Sequence, residues 1–174
     1  MLRFMLIAAL ATGGQDFFPP LSMPDMPAIS GMAAFGPSWL SIESPPNPYN
    51  PDTKGALLVV RVYHHNETAF YPITGTAEGL INGKRQSVAL SFTQTSTPGM
   101  YALKFTRPTP GAWLLMIHIG DNPEHNEGTA MVTLDGSGQV ASVQVPTQQK
   151  GEYTWPRAVT EEEVASRLKA LAGA

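Results

Sequence analysis

Four histidines, His64, His65, His118 and His125, carry the side chains of this chain that titrate near neutral pH. Asp121, Glu124 and Glu127 stand beside the last two. Imidazole nitrogens with carboxylate oxygens are a ligand set for copper, zinc or nickel. If the strands run simply up and down, the turn after His64-His65 and the loop 120–128 fall at one end. Such an end would gather all four imidazoles with the three acids as a metal site for copper or zinc. The same residues also describe four independent histidines at strand ends, where polar groups collect. His64 and His65 point to opposite faces unless the strand has ended between them. Both readings stand on sequence alone.

Other chemistry is thinner. The run Asp121–Glu127 offers oxygens to calcium but lacks the spacing of an EF-hand loop. Met23, Met26 and Met32 are three thioethers with an affinity for copper(I), spread through a linker. The chain has no Gly-x-Ser-x-Gly, no His-Glu-x-x-His and no phosphate loop. No catalytic and no cofactor-binding residue is therefore assigned, and an enzyme is not expected. Asn66-Glu67-Thr68 is a glycosylation sequon, relevant only in a eukaryotic secretory route.

Composition narrows the class. The 174 residues are 43% hydrophobic, enough for one core, and only 14% charged. A net charge of -3 with scattered Lys and Arg gives no footprint for nucleic acid. With no cysteine, a disulfide framework, a thiolate metal site and a Cys lipid anchor are excluded. The opening reads as an export signal over 1–13: Arg3, then the apolar run Phe4–Ala11, then small residues. Cleavage fits Ala9-Leu10-Ala11 or Ala11-Thr12-Gly13; the competing reading is a buried strand or helical turn. The run is too short to span a bilayer. A periplasmic or secreted bacterial protein is expected, with no membrane span after signal removal.

The elements that must position these residues follow from period-2 patterning. Pro19, Pro20, Pro24 and Pro27 make 14–34 a linker or strap. Trp39–Glu43 is a short edge strand, stopped by the prolines from Pro45 to Pro51. Leu58, Val60 and Val62 share one face of the next strand. Ala69–Glu78, broken by Pro72 and Gly75, reads as a weak edge or bulged strand. Asn82-Gly83 turns Thr76–Ile81 into Ser87–Thr93, with Val88, Leu90 and Phe92 inward. Tyr101, Leu103 and Phe105 repeat the pattern, then Trp113, Leu115, Ile117 and Ile119. Ala130, Val132 and Leu134 follow, and beyond Asp135–Gly138 come Ala141, Val143 and Val145.

Seven or eight short strands at regular spacing make an antiparallel β-sandwich over 35–147. After a linker at 148–159, an amphipathic helix is expected over 160–172. Thr160 is its N-cap, Glu163 completes a capping box, and Val164, Leu168 and Leu171 form one apolar stripe. On the Trp113 strand the outward residues are Leu114, Met116 and His118, with Met131 their hairpin neighbour. An apolar outer face on such a sheet is either covered, by the strap or the helix, or is an interaction patch of Leu114, Met116 and Met131.

Thr97-Pro98-Gly99-Met100-Tyr101 and Thr109-Pro110-Gly111-Ala112-Trp113 open two successive strands with one phrase. Gly99, Tyr101, Gly111 and Trp113, with Thr74–Ala77 upstream, resemble the YtkA-like or FixH-like immunoglobulin-like domains of small exported bacterial proteins. The likeness spans Leu57–Val145. Tyr101 also resembles the tyrosine-corner position of immunoglobulin folds. The resemblance implies an immunoglobulin-like sandwich and export, with associations to copper handling and oxidase assembly. This chain departs from it in the Pro-rich front, the terminal helix and the lack of a membrane anchor. The expected function is a non-enzymatic module binding another envelope or secreted protein, or the cell envelope, through a sheet face or loop end. The alternative is a periplasmic metal-binding domain built on the histidines.

Overall fold

Val62 faces inward from one sheet and Ile117 from another, and the space between them is the core. The computed structural model describes residues 37–64, 66–120 and 128–173. The chain divides into Met1–Ala34 and Phe35–Ala174, and the second unit is the one described. The signal segment 1–13, the strap 14–34 and Met23, Met26 and Met32 lie outside the described residues.

Among the described residues, ten strands form two five-stranded antiparallel sheets. The first holds β1 (Ser38–Glu43), β2 (Leu58–His64), β7 (Met100–Leu103) and β6 (Phe92–Gln94) in that order, with β3 (Glu67–Thr68) paired to β2. The second runs β10 (Val140–Gln144), β9 (Thr129–Leu134), β8 (Ala112–Ile119), β4 (Ile73–Ile81), β5 (Lys84–Ala89). Leu58, Val60, Val62 and Leu103 meet Ala77, Trp113, Leu115, Ile117 and Val132 between the sheets, all fully buried. Burying apolar surface at about 25 cal/mol per Å² is what holds the layers together. The strand order matches the immunoglobulin arrangement, ABED facing C′CFG, with β10 added after the last strand.

Four local readings change. First, β4 is not an edge: it pairs with β8 over Ile73–Leu80 and with β5 over Thr76–Ile81. Its glycines mark close approach rather than weakness, because a Cβ at Gly75 would meet the Met116 carbonyl oxygen at 2.3 Å. Second, Ser87–Thr93 is two strands. Asn82 and Gly83, at φ 50° and 75°, make the expected tight turn into β5. The chain then leaves that sheet after Ala89 and joins the other as β6, so Val88 is exposed while Leu90 and Phe92 pack on the core.

Third, the bulge between Val140 and Ser142 moves Ala141 out of phase and outward. Val140 and Val145 pack on the core, and Val143, on an edge strand, stays 40% exposed. Fourth, the linker 148–159 contains a hairpin, β11 (Thr147–Lys150) with β12 (Tyr153–Pro156). Lys150 Nζ lies 4.6 Å from the Trp155 ring centroid, a cation–π contact. The Arg157 N–H donates to the Pro146 carbonyl and closes the hairpin's base.

Helix α1 (Glu161–Ala172) starts where the capping box requires. Thr160 Oγ1 accepts from the Glu163 N–H at 3.3 Å, and Glu163 Oε2 accepts from the Thr160 N–H at 2.9 Å. Its stripe, Val164 and Leu168 with Leu171 beside them, packs on Leu114, Met116 and Met131. A 12-residue helix is marginal alone in water, so this packing is what keeps it folded.

Candidate functional site

Leu114, Met116 and Met131 are 0%, 5% and 7% exposed. The sequence left them as either a covered surface or an interaction patch, and the chain's own helix covers them. An exposed apolar patch on this face is corrected accordingly. Polar contacts hold the cover at several points. Glu78, on the outer face of β4, accepts from Arg85 Nε at 2.9 Å and Ser87 Oγ at 2.7 Å. Arg85 Nη1 donates onward to Glu161 Oε2 at 2.5 Å, which bridges sheet to helix. Burial would raise the Glu78 carboxyl, but hydrogen bonds from Ser87, Thr76 and Arg85 outweigh it and hold it below the ordinary range. Arg167 reaches Thr133 Oγ1 and Ser142 Oγ at the other side of the helix.

The histidines are partly brought together. His65, His125 and the run Asp121–Glu127 lie outside the described residues. His64 ends β2 and His118 sits one residue before the end of β8, at the same end of the sandwich. Their faces differ. By strand alternation His64 continues the inward row of Val60 and Val62, whereas His118 continues the outward row of Leu114 and Met116. The backbone of the second sheet therefore stands between the two rings. Ser38 Oγ is 3.4 Å from His64 Nδ1, and the Tyr71 ring meets His64 edge-on at 6.0 Å. His118 Nδ1 pairs with Thr129 Oγ1 at 3.1 Å, and burial lowers its pKa. Among the described residues no three His, Asp or Glu side chains converge as metal ligands would.

What this end does present is aromatic. The connection from β2 to β4 carries Phe70, 69% exposed, and Tyr71, 41% exposed. It is pinned from below. Tyr101 Oη donates to the Tyr71 carbonyl at 2.9 Å, and the Gly120 N–H donates to the Pro72 carbonyl at 2.7 Å. Thr74 Oγ1 donates to the Gly120 carbonyl at 3.1 Å, so the β2–β4 and β8–β9 connections are tied at their roots. Gly99, at φ 68°, lies so close to this connection that a Cβ there would meet the Ala69 carbonyl oxygen at 2.5 Å.

Sequence reasoning missed Phe70 and Tyr71. The available signal was two adjacent large aromatics before a proline, which a strand with one buried face cannot bury together. Tyr101 is also reassigned. It sits on β7 and reaches 30 residues back, across to another connection. The corner bond belongs instead to Trp113, at the start of β8, whose Nε1 donates to the Thr109 carbonyl four residues upstream at 2.9 Å.

Strand order, the corner bond and paired loop roots define an immunoglobulin-like β-sandwich that carries its own helix on one sheet. No family model, no curated protein and no solved structure matches the chain.

Proposed function

We propose that this chain is an exported, non-enzymatic immunoglobulin-like module that binds another envelope or secreted protein through the end bearing Phe70 and Tyr71. The single observation that carries the reading is the exposure of Phe70, at 69%, on a connection whose neighbouring carbonyls are held by hydrogen bonds. Large aromatics on a pre-ordered loop supply contact area at low entropic cost, which is how binding loops of this fold work. The outer face of the second sheet is taken by α1, whereas Phe70 and Tyr71 stay exposed at the loop end. Export rests on the N-terminal signal pattern and on the likeness of Gly99, Tyr101, Gly111 and Trp113 to exported bacterial domains.

The test is a photo-crosslinking amino acid at position 70 in the producing cell, with one at the exposed edge residue Lys84 as control. A discrete adduct from position 70 alone, lost on replacing Tyr71 with Ser, supports the reading. No adduct, or the same adducts from both positions, overturns it. Mass analysis of the mature chain checks export by its new N-terminus.

A further inference from the structure

At the opposite end of the sandwich a cleft of about 400 Å³ opens between the β7–β8 connection, the β9–β10 turn and the chain entering β2. That volume falls within the range of small-molecule sites, about 300–1,000 Å³. Phe105, Pro108 and Pro110 give it apolar walls, Ser137 and Gln139 polar ones, and Arg107 is the one charged residue lining it.

Arg107 is fixed in place. Nη1 donates to the Gly111 carbonyl at 3.3 Å and Nη2 to the Gly136 carbonyl at 2.6 Å. Its stem lies so close to Gly138 that a Cβ there would be 3.1 Å from Nε. A guanidinium has five N–H donors, and the two carbonyl bonds leave three of them without an acceptor among the described residues. The carbonyls are neutral, and among the described residues no carboxylate pairs with the guanidinium. Asp135, in the adjacent turn, spends its Oδ1 on the Ser137 and Gln139 N–H groups and the Ser137 hydroxyl. In the same wall Thr109 Oγ1 is buried without a hydrogen-bond partner, the one such side-chain atom among the described residues.

We propose that this cleft binds a free carboxylate, that of a small organic acid or of a peptide C-terminus, on the remaining edge of Arg107. A planar fork with two parallel N–H groups matches a carboxylate in geometry, and one positive charge matches a monoanion. A dianionic phosphate would remain half compensated. The apolar walls take the carbon skeleton beside the carboxylate. The site is independent of the loop end, so it stands or falls separately from the function proposed above.

The experiment is NMR titration of the full ¹⁵N-labelled chain, reading Arg107 Nε–Hε and the Gly138 and Gln139 amides. The probes are sodium benzoate, Gly-Gly-Phe with a free C-terminus, the same tripeptide amidated, sodium phosphate, and sodium chloride at matched ionic strength. Saturable shifts are expected with benzoate or the free tripeptide, at least about tenfold weaker with the amide. The free tripeptide about tenfold tighter than benzoate assigns a peptide terminus; the two comparable, or benzoate tighter, assigns a small acid. Arg107→Gln should abolish the shifts. Because Arg107 also ties two loops, Gln139→Glu provides the second variant: it keeps the carbonyl clamp, adds a competing carboxylate, and should weaken binding about tenfold. Absence of saturation, equal response to the amide or chloride, tighter binding of phosphate, or unchanged affinity in Gln139→Glu would each overturn the proposal.

Discussion

Gly79 lies against the Trp113 indole, so close that a Cβ at position 79 would meet the ring at 2.8 Å. The two residues pair across β4 and β8, and Trp113 is fully buried. The ring occupies room that only a glycine leaves. Its Nε1 bond to Thr109 then sets how the chain turns into β8. Gly79→Ala should therefore cost about 1–3 kcal/mol through overpacking. Trp113→Ala should cost about 3–5 kcal/mol through the cavity it leaves. Urea unfolding of both variants checks this, and a neutral Gly79→Ala would show that the indole moves aside freely.

Among the described residues the helix, with Val159 just ahead of it, covers Leu114, Met116 and Met131. Leu168, 2% exposed, is the centre of that contact. Leu168→Ala should destabilise the chain by about 2–5 kcal/mol. Leu168→Asp should release the helix, raise binding of a hydrophobic dye and make the chain cleavable between Arg157 and Thr160. Lys169→Ala, on the exposed side, is the control and should do none of this. Equal dye binding by both variants would mean that the helix is not what shields the patch.

Much of this architecture was legible because a period of two has one physical cause. Trp113, Leu115, Ile117 and Ile119 are inward in the structure as the alternation required. The helix was legible from its own period of about 3.6 and its cap, since Thr160, Glu163, Val164 and Leu168 combine a capping box with a stripe. What failed was pairing. Proline and glycine lower local strand propensity, and Pro72 and Gly75 made β4 look like an edge. The purpose of the β4 glycines lies in the neighbour, where the Met116 carbonyl approaches Gly75 and the Trp113 ring approaches Gly79. Of the four histidines, the structure describes His64 and His118. Sharing an end of a sandwich does not mean sharing a face, and one sheet separates His64 from His118. Phe70 was overlooked because it obeys no period at all.

Acid should loosen the helix start first. Hydrogen bonds from Arg157, then from the Thr160 backbone, hold the Glu163 carboxyl down to about 2 from an ordinary value of 4.5. A depressed carboxylate contributes stability that is complete above its unfolded value and is lost as pH falls through the folded one. The relevant window is therefore from about 4.5 down to about 2. Both side chains of the pair are about a third exposed, so solvent screening reduces the effect to about 0.5–1 kcal/mol. Glu163→Gln should remove that share of the acid-dependent loss of α1, read by far-UV circular dichroism. An unaltered acid profile would place the sensitivity elsewhere.

His118 should act in a higher range and with the same sign. Burial lowers its pKa below the ordinary 6.5, so the folded chain binds its proton less readily than the unfolded chain does. Wherever the unfolded state holds more protons, stability rises with pH. The fold should thus lose stability as pH drops below about 6.5, until the folded ring itself protonates. His118→Gln should flatten that slope in urea midpoints measured on either side of the window. Thr129, fully buried, is the partner of Nδ1. Thr129→Val would leave the ring nitrogen unpaired and should cost about 1–3 kcal/mol at neutral pH. A His118→Gln variant with the parent's pH slope would mean that the ring opens to water before it titrates.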